Sequence, residues 1–288
     1  MSQTLSGSRY ELHVTQQGTA EGKARDYFEV HPADLEDDAE DDAEGDDLLG
    51  YVHSWEVGST VDGPGLRFVA FLTGCLLRCQ YCHNPDTWHK HNGRPVTVLR
   101  ALREIGKYTQ VLKLSRGGVT LSGGEPMVQH AFMAQVFRRC KALGLHTCVD
   151  TSGRLGDRLS DAELMDIDLQ LLDIKSGDPA VYERLTHQPL QPTLDYALRL
   201  SALARPMWIR FVLVPGLTDG HDNVERLADF CAGLRGVERV EILRFHQLGR
   251  DKWRRLELDY PLADTEPPDP ELAERVRGQF RSRGLTVY

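Results

Sequence analysis

Six short apolar runs, separated by amphipathic stretches of helical length, constrain the fold of this chain more than any other feature. LRFVAFL (66–72), GVTLS (118–122), HTCVD (146–150), LQLLDIK (169–175), MWIRFVLV (207–214) and RVEILRF (239–245) are rich in β-branched and aromatic residues, as strands are. Their apolar character is nearly continuous, the pattern of parallel strands covered on both faces. Between them, VTVLRALREIGKYTQVL has Thr97 placed as an N-cap and AFMAQVFRRCKALG stops at Gly144, a residue suited to helix ends. SDAELMD holds Ser160 and Glu163 at capping-box spacing. TLDYALRLSALA, DNVERLADFCAGL and PELAERVRGQFRSRG complete the helical series. This alternation predicts a parallel α/β sheet with right-handed crossovers, either open or curved into a partial barrel. In both forms functional groups gather at the strand C-termini and in the loops that follow them.

The chain has 288 residues, 41 % of them apolar, enough for one large domain or two small ones. No uninterrupted apolar run reaches membrane length, so no transmembrane helix is expected. The start, MSQTLSGSRYELHV, lacks the features of a secretory signal. A cytoplasmic location is therefore expected, where clustered cysteines bind metal or do redox work rather than form disulfides. The net charge of −9 is concentrated in DLEDDAEDDAEGDD (34–47), which carries ten acidic groups and no basic one. The remainder is close to neutral, so no nucleic-acid partner is expected. Residues 1–49 read as a disordered acidic extension, because so few apolar groups cannot offset the entropy of ordering them. An acidic docking tail is the competing account. Residues 50–288 read as one domain.

GCLLRCQYCHNPDTW (74–88) places Cys75, Cys79 and Cys82 within eight residues, immediately after the first strand. Thiolates suit zinc, copper(I) or iron–sulfur clusters. A closed zinc site takes four ligands, usually as two separated pairs, but here the spacing is C-x3-C-x2-C. Cys140, Cys148 and Cys231 are isolated and read as small core residues. A 4Fe–4S cluster on three cysteines leaves one iron open to a substrate. His83, adjacent to Cys82, is poorly placed as a fourth ligand of the same cube.

C-x3-C-x-aromatic-C, with Tyr81 before the last cysteine, resembles the signature of radical S-adenosylmethionine enzymes. SWEVGSTVDGPGLRFVAFLTGCLLRCQYCHNPDTW, SGGEPMVQ, HTCVDTSG, LLDIK, WIRFVLVPG and FHQLGRDKW, in that order, resemble the pyruvate formate-lyase activating enzyme family from about residue 51 to the end. The resemblance implies a partial (β/α)6 TIM-like barrel with one 4Fe–4S cluster on Cys75, Cys79 and Cys82. It implies S-adenosylmethionine chelated to the open iron and cleaved by one electron to methionine and a 5′-deoxyadenosyl radical. That radical would abstract a hydrogen atom from a backbone glycine of pyruvate formate-lyase. Reduced flavodoxin or ferredoxin would supply the electron, and the enzyme would be a monomer.

Residue by residue, the resemblance places Gly123, Gly124 and Glu125 against the methionine amino group, where a tight turn is the competing account. Asp173, Ile174 and Lys175 contact S-adenosylmethionine; a structural ion pair competes, since residues two apart share a strand face and buried charges need partners. Arg210 forks onto the cofactor carboxylate, with an inward salt bridge as the alternative. Tyr81, Cys82, His83 and His246 meet the adenosine, with a satisfied core histidine as the competing account of His246. Asp150 and Thr151 help hold a monovalent cation, against a plain helix N-cap. Asp62, in VDGPG, faces the glycine loop of the protein substrate. The chain departs from the family at Arg244 and Phe245, where a Pro and a Tyr are common. No cysteine-rich ferredoxin-like insertion lies between Cys82 and Gly118, which favours the pyruvate formate-lyase type over activases of other glycyl radical enzymes. A small-molecule radical enzyme and a non-catalytic zinc-binding adaptor are the remaining alternatives.

Overall fold

A computed structural model describes residues 28–30 and 48–288. The expected disordered extension falls mostly outside the described residues. Within its span, however, Phe28–Val30 forms a strand, β1, and Leu49 already belongs to β2 (Leu49–Ser59). The sheet continues through β3 (Arg67–Leu72), β4 (Arg94–Thr97), β5 (Gly118–Gly123), β6 (His146–Thr151), β7 (Leu169–Asp173), β8 (Met207–Leu213) and β9 (Val237–Arg244). β3, β5, β6, β7, β8 and β9 pair in parallel, each with the next in sequence. Successive crossovers therefore advance in one direction, as in a (β/α) barrel, and the barrel stops after six strands.

β2 extends this half-barrel antiparallel to β3, with Trp55 opposite Ala70, and carries β1 and β4 on its other edge. These three antiparallel strands were not expected. The sheet's outer face packs Phe68, Leu121, Val149, Leu172, Ile209 and Phe211 against helices. The inner face holds a small separate cluster of Cys148, Leu169, Leu171 and Trp208.

Nine α-helices occur among the described residues: α1 (Val98–Gly106), α2 (Thr109–Leu114), α3 (His130–Ala142), α4 (Asp161–Met165), α5 (Pro179–Thr186), α6 (Gln191–Ala202), α7 (His221–Ala232), α8 (Arg250–Arg255) and α9 (Pro270–Arg281). Thr97 caps α1 by accepting from the Arg100 N–H at 3.1 Å, and Ser160 with Glu163 forms the expected capping box on α4. The single helix expected over 96–112 is divided. After Gly106 the chain tightens, Lys107 N–H bonding Glu104 O and Tyr108 N–H bonding Ile105 O, and α2 starts afresh. α5 and α8 were also unforeseen. The strand expected over 169–175 ends at Asp173, so Lys175 leaves the sheet and approaches Asp173 from the following loop. At the far edge, Thr286–Tyr288 bonds to β9 through Val240 and Ile242. No helix among the described residues is long and apolar enough to cross a membrane.

Candidate active site

β3 ends at Leu72, and Gly74 turns the chain with φ +95, a conformation that favours glycine. Gly74 N–H bonds Thr87 O at 2.7 Å and Cys75 N–H bonds Trp88 O at 3.0 Å, closing the cysteine loop on itself. Arg78 N–H to Thr186 O (2.8 Å) and Gln80 N–H to Leu185 O (3.1 Å) fasten its middle to the end of α5. Cys75, Cys79 and Cys82 thereby share the wall of one cavity of about 260 Å³.

All three are free thiols. Burial pushes Cys75 up to about 12 and raises Cys79 further still. Burial also raises Cys82, against hydrogen bonds from the Asn84 backbone and the Trp88 side chain. Thiolates here need a positive charge beside them, which bound iron provides. No three His, Cys, Asp or Glu side chains among the described residues converge as ligands of one ion do. Three free thiols on one cavity are a donor set that suits an iron–sulfur cluster.

β5 delivers the second wall. A Cβ on Gly123 would meet Leu72 O at 2.4 Å, and one on Gly124 would meet Gly74 O at 2.5 Å. Only glycine lets these loops touch backbone to backbone. Glu125 is 1 % exposed. It accepts from Met127 N–H (3.2 Å), Thr151 Oγ1 (2.7 Å), Ser152 N–H (2.9 Å) and Ser152 Oγ (2.5 Å). Burial raises its pKa against these four donors. Glu125 lines the cavity, yet its carboxylate is engaged by the chain itself and braces the end of β6 against the loop after β5. Thr151 donates to Glu125, and its hydroxyl also accepts from Gly153 N–H at 2.9 Å. Asp150 accepts from Ser122 Oγ at 2.8 Å and keeps a face on the cavity.

From the end of β7 and the loop after it come Asp173 and Lys175, paired at 2.5 Å. Burial works against the Lys175 charge, but Asp173 and its neighbours hold its pKa well above the ordinary value. The second Asp173 oxygen is buried without a partner, an acceptor aimed where a ligand donor would satisfy it. Tyr81 lies beneath the Lys175 ammonium at 5.5 Å. Ile174 is fully buried, donates its N–H to Arg210 O at 3.1 Å, and does not line the cavity.

Arg210, on β8, is ringed by carboxylates: Glu241 at 3.0 Å, Asp150 at 3.5 Å and Asp62 at 3.9 Å. It lines the cavity, so the salt-bridge and ligand-facing readings coexist at this residue. Asp62 stands behind Arg210, off the cavity wall, with Ser59 Oγ at 2.5 Å; burial raises its pKa despite that bond. His246 is exposed and stacks on His83 with ring centroids 4.4 Å apart. Burial and the neighbouring His246 push His83 down to about 4.

A model of a 4Fe-4S single cluster domain matches residues 61–183. The chain is 41 % identical over 242 residues to the pyruvate formate-lyase 1-activating enzyme of Escherichia coli (strain K12), covering 83 % of this chain and 98 % of that one. It is 47 % identical over 236 residues to the pyruvate formate-lyase-activating enzyme of Staphylococcus epidermidis, covering 80 % of this chain and 94 % of the relative. The chain belongs to the pyruvate formate-lyase-activating enzyme family. In fold it is similar to a radical SAM methyltransferase from Sphaerobacter thermophilus, with TM-score 0.55 at 17 % identity over 83 % of this chain and 72 % of that one.

In this member of the pyruvate formate-lyase-activating enzyme family, several site residues lay beyond sequence reasoning. Trp253 Nε1 donates to Cys82 O at 2.7 Å, and Lys252 bonds Asn84 Oδ1 at 2.9 Å and Asp86 at 3.0 Å. Both stand in the FHQLGRDKW motif, which flagged the segment but not these contacts. Glu241, opposite Arg210 in the β8–β9 register, gave no signal beyond a charge within an apolar run.

Proposed function

We propose that this chain activates pyruvate formate-lyase. The observation that carries the reading is one cavity with three free thiols on one wall and Gly124, Asp173, Lys175 and Arg210 on the others, in a chain of the activating-enzyme family. Cys75, Cys79 and Cys82 hold a 4Fe–4S cluster. The Gly123–Gly124 backbone, Asp173, Lys175 and Arg210 hold S-adenosylmethionine, with Tyr81, His83 and His246 on its adenosine side. When bound, these groups supply one-electron cleavage of the sulfonium and, through it, removal of a hydrogen atom from a backbone glycine of the partner.

The remaining work belongs to the protein. Leu77, Val212, Leu243 and Phe245 line the cavity with apolar surface and exclude water from the reacting carbon. Lys175 neutralises one oxygen of Asp173 and leaves the other for a ligand hydroxyl or ammonium. Asp150 and the Thr151 hydroxyl, which donates to Glu125 and keeps an acceptor lone pair, offer oxygen to a monovalent cation. Asp62 faces the partner's glycine loop, and reduced flavodoxin or ferredoxin delivers the electron.

Anaerobic electron paramagnetic resonance of the reconstituted, reduced protein with S-adenosylmethionine and pyruvate formate-lyase tests the reading. The expected result is a cluster signal followed by a doublet from the partner's glycine. A cluster signal that responds to S-adenosylmethionine without a partner radical would move the substrate to another glycyl radical enzyme. Bound zinc in place of iron would overturn the chemistry.

A further inference from the structure

Arg78 stands inside the cysteine loop, one residue before Cys79, and takes no part in the cavity described above. Its Nη1 donates to Cys75 O and to Leu77 O, each at 2.8 Å. The guanidinium lies 4.8 Å from the Trp88 ring centre. Trp88 in turn receives the Cys75 N–H on its own carbonyl at 3.0 Å and packs edge-on against Trp253, 5.2 Å away. The charge is thus held at one place by two carbonyls and an aromatic face.

Its electrostatic surroundings differ from those of two lysines of this region. Lys175 is paired with Asp173 at 2.5 Å and Lys252 with Asp86 at 3.0 Å. Arg78 has no carboxylate within 4.0 Å among the described residues; its recorded acceptors are neutral carbonyls. A guanidinium stays protonated at any working pH. Arg78 is also only half-buried, so the arrangement does not impose the desolvation penalty of a deep unpaired charge.

We propose that Arg78 tunes the reduction potential of the cluster: its fixed positive charge, clamped to the carbonyl of a ligand cysteine, favours the reduced state. This rests on the cluster reading above. Reduction adds one electron, so a neighbouring cation stabilises the product more than the reactant, and net charge near a cluster is a recognised lever on its potential. Such a charge is more effective in a partly dry loop than in bulk water. The hydrogen bonds to Cys75 O and Leu77 O give a second, structural role, and the experiment separates the two.

Anaerobic redox titration of the full-length reconstituted protein, without S-adenosylmethionine, gives the midpoint potential from the cluster's paramagnetic signal. Arg78→Gln and Arg78→Met remove the charge; Arg78→Lys retains it and drops the fork. The signal comes only from loaded molecules, so a partly loaded variant still gives its potential. The neutral variants should show, at a fixed ambient potential, a reduced-to-oxidised ratio about tenfold lower, equivalent to about 59 mV for one electron. Arg78→Lys should restore most of the wild-type value. Unchanged potentials in both neutral variants would overturn the proposal, as would Arg78→Lys falling as far as Arg78→Gln. No iron–sulfur signal in the wild-type protein would instead remove the cluster reading and this inference with it.

Discussion

Glu125 shows how far a single buried side chain can hold the walls of a site together. Four donors from Met127, Thr151 and Ser152 converge on it, and they come from two strand ends that must stay in register for the cavity to keep its shape. Glu125→Ala would leave those donors buried and unpaired, at a cost of about 3–5 kcal/mol. Urea unfolding should show that loss, and a midpoint unchanged from wild type would show the bracing to be dispensable. Arg67 and His146 make a second residue-scale case. Arg67 is fully buried and bonds the neutral acceptors Thr120 Oγ1, Val119 O and His146 Nδ1. Burial first, and then the Arg67 charge, push His146 from 6.5 down to about 4. Between those pH values the unfolded chain binds a proton at this histidine that the folded chain refuses. Stability therefore falls as pH drops from about 6.5 to about 4 and is constant, for this group, above that window. His146→Gln keeps an acceptor for Arg67 and should flatten the melting temperature against pH there; parallel curves for variant and wild type would refute the assignment.

Elements were legible where the physics was local. The six parallel strands announce themselves because both of their faces are buried, and the caps at Thr97 and Ser160 are short-range. β2 escaped notice because its alternation is broken by register irregularities between Val52 and Ser54 and between Val57 and Ser59. β1 and β4 have three and four residues and exist by pairing, which a local pattern does not carry. For the same reason the cysteines and the Asp173–Lys175 pair were readable as motifs. The Glu125–Ser152 and Arg210–Glu241 bonds, spanning 27 and 31 residues, depend on strand register. The edge of β9 is another product of pairing. Thr286–Tyr288 supplies hydrogen bonds to Val240 and Ile242, and Arg239 lies between the Trp208 and Tyr288 rings at 3.2 and 5.1 Å. Deleting residues 286–288 would expose a row of unpaired backbone groups. The expected result is a stability loss of about 1–3 kcal/mol and concentration-dependent light scattering; a truncated protein as stable and monodisperse as wild type would show that the tail only rests on the edge.

At the scale of the whole molecule, the half-barrel is closed by contacts other than a seventh and an eighth strand pair. β9 and β3 are not bonded to each other, yet the loop after β3 and the end of β9 line one cavity, Cys75 to Thr87 on one side and Leu243 to Phe245 on the other. The cavity is lined from the ends of β5, β6, β7, β8 and β9 and from the loop after β3, so ligand occupancy should be coupled to global unfolding. Binding only the folded state stabilises by about 2.7 kcal/mol at a hundredfold excess over Kd, or about 5–10 °C for a domain of this size. Anaerobic melting of the cluster-loaded protein with S-adenosylmethionine should show that rise. Two controls separate the contributions. Iron-free protein lacks the chelating position and should keep only a fraction of the shift, because the cavity walls alone remain to bind. Asp173→Asn in loaded protein replaces the carboxylate whose buried oxygen awaits a donor and also removes the partner of the buried Lys175 charge, so it should lower the ligand-free melting temperature and, measured from that lowered baseline, reduce the shift. An equal shift with and without iron would place S-adenosylmethionine away from the cysteine wall, and the assignment of the two cofactors to one cavity would fall.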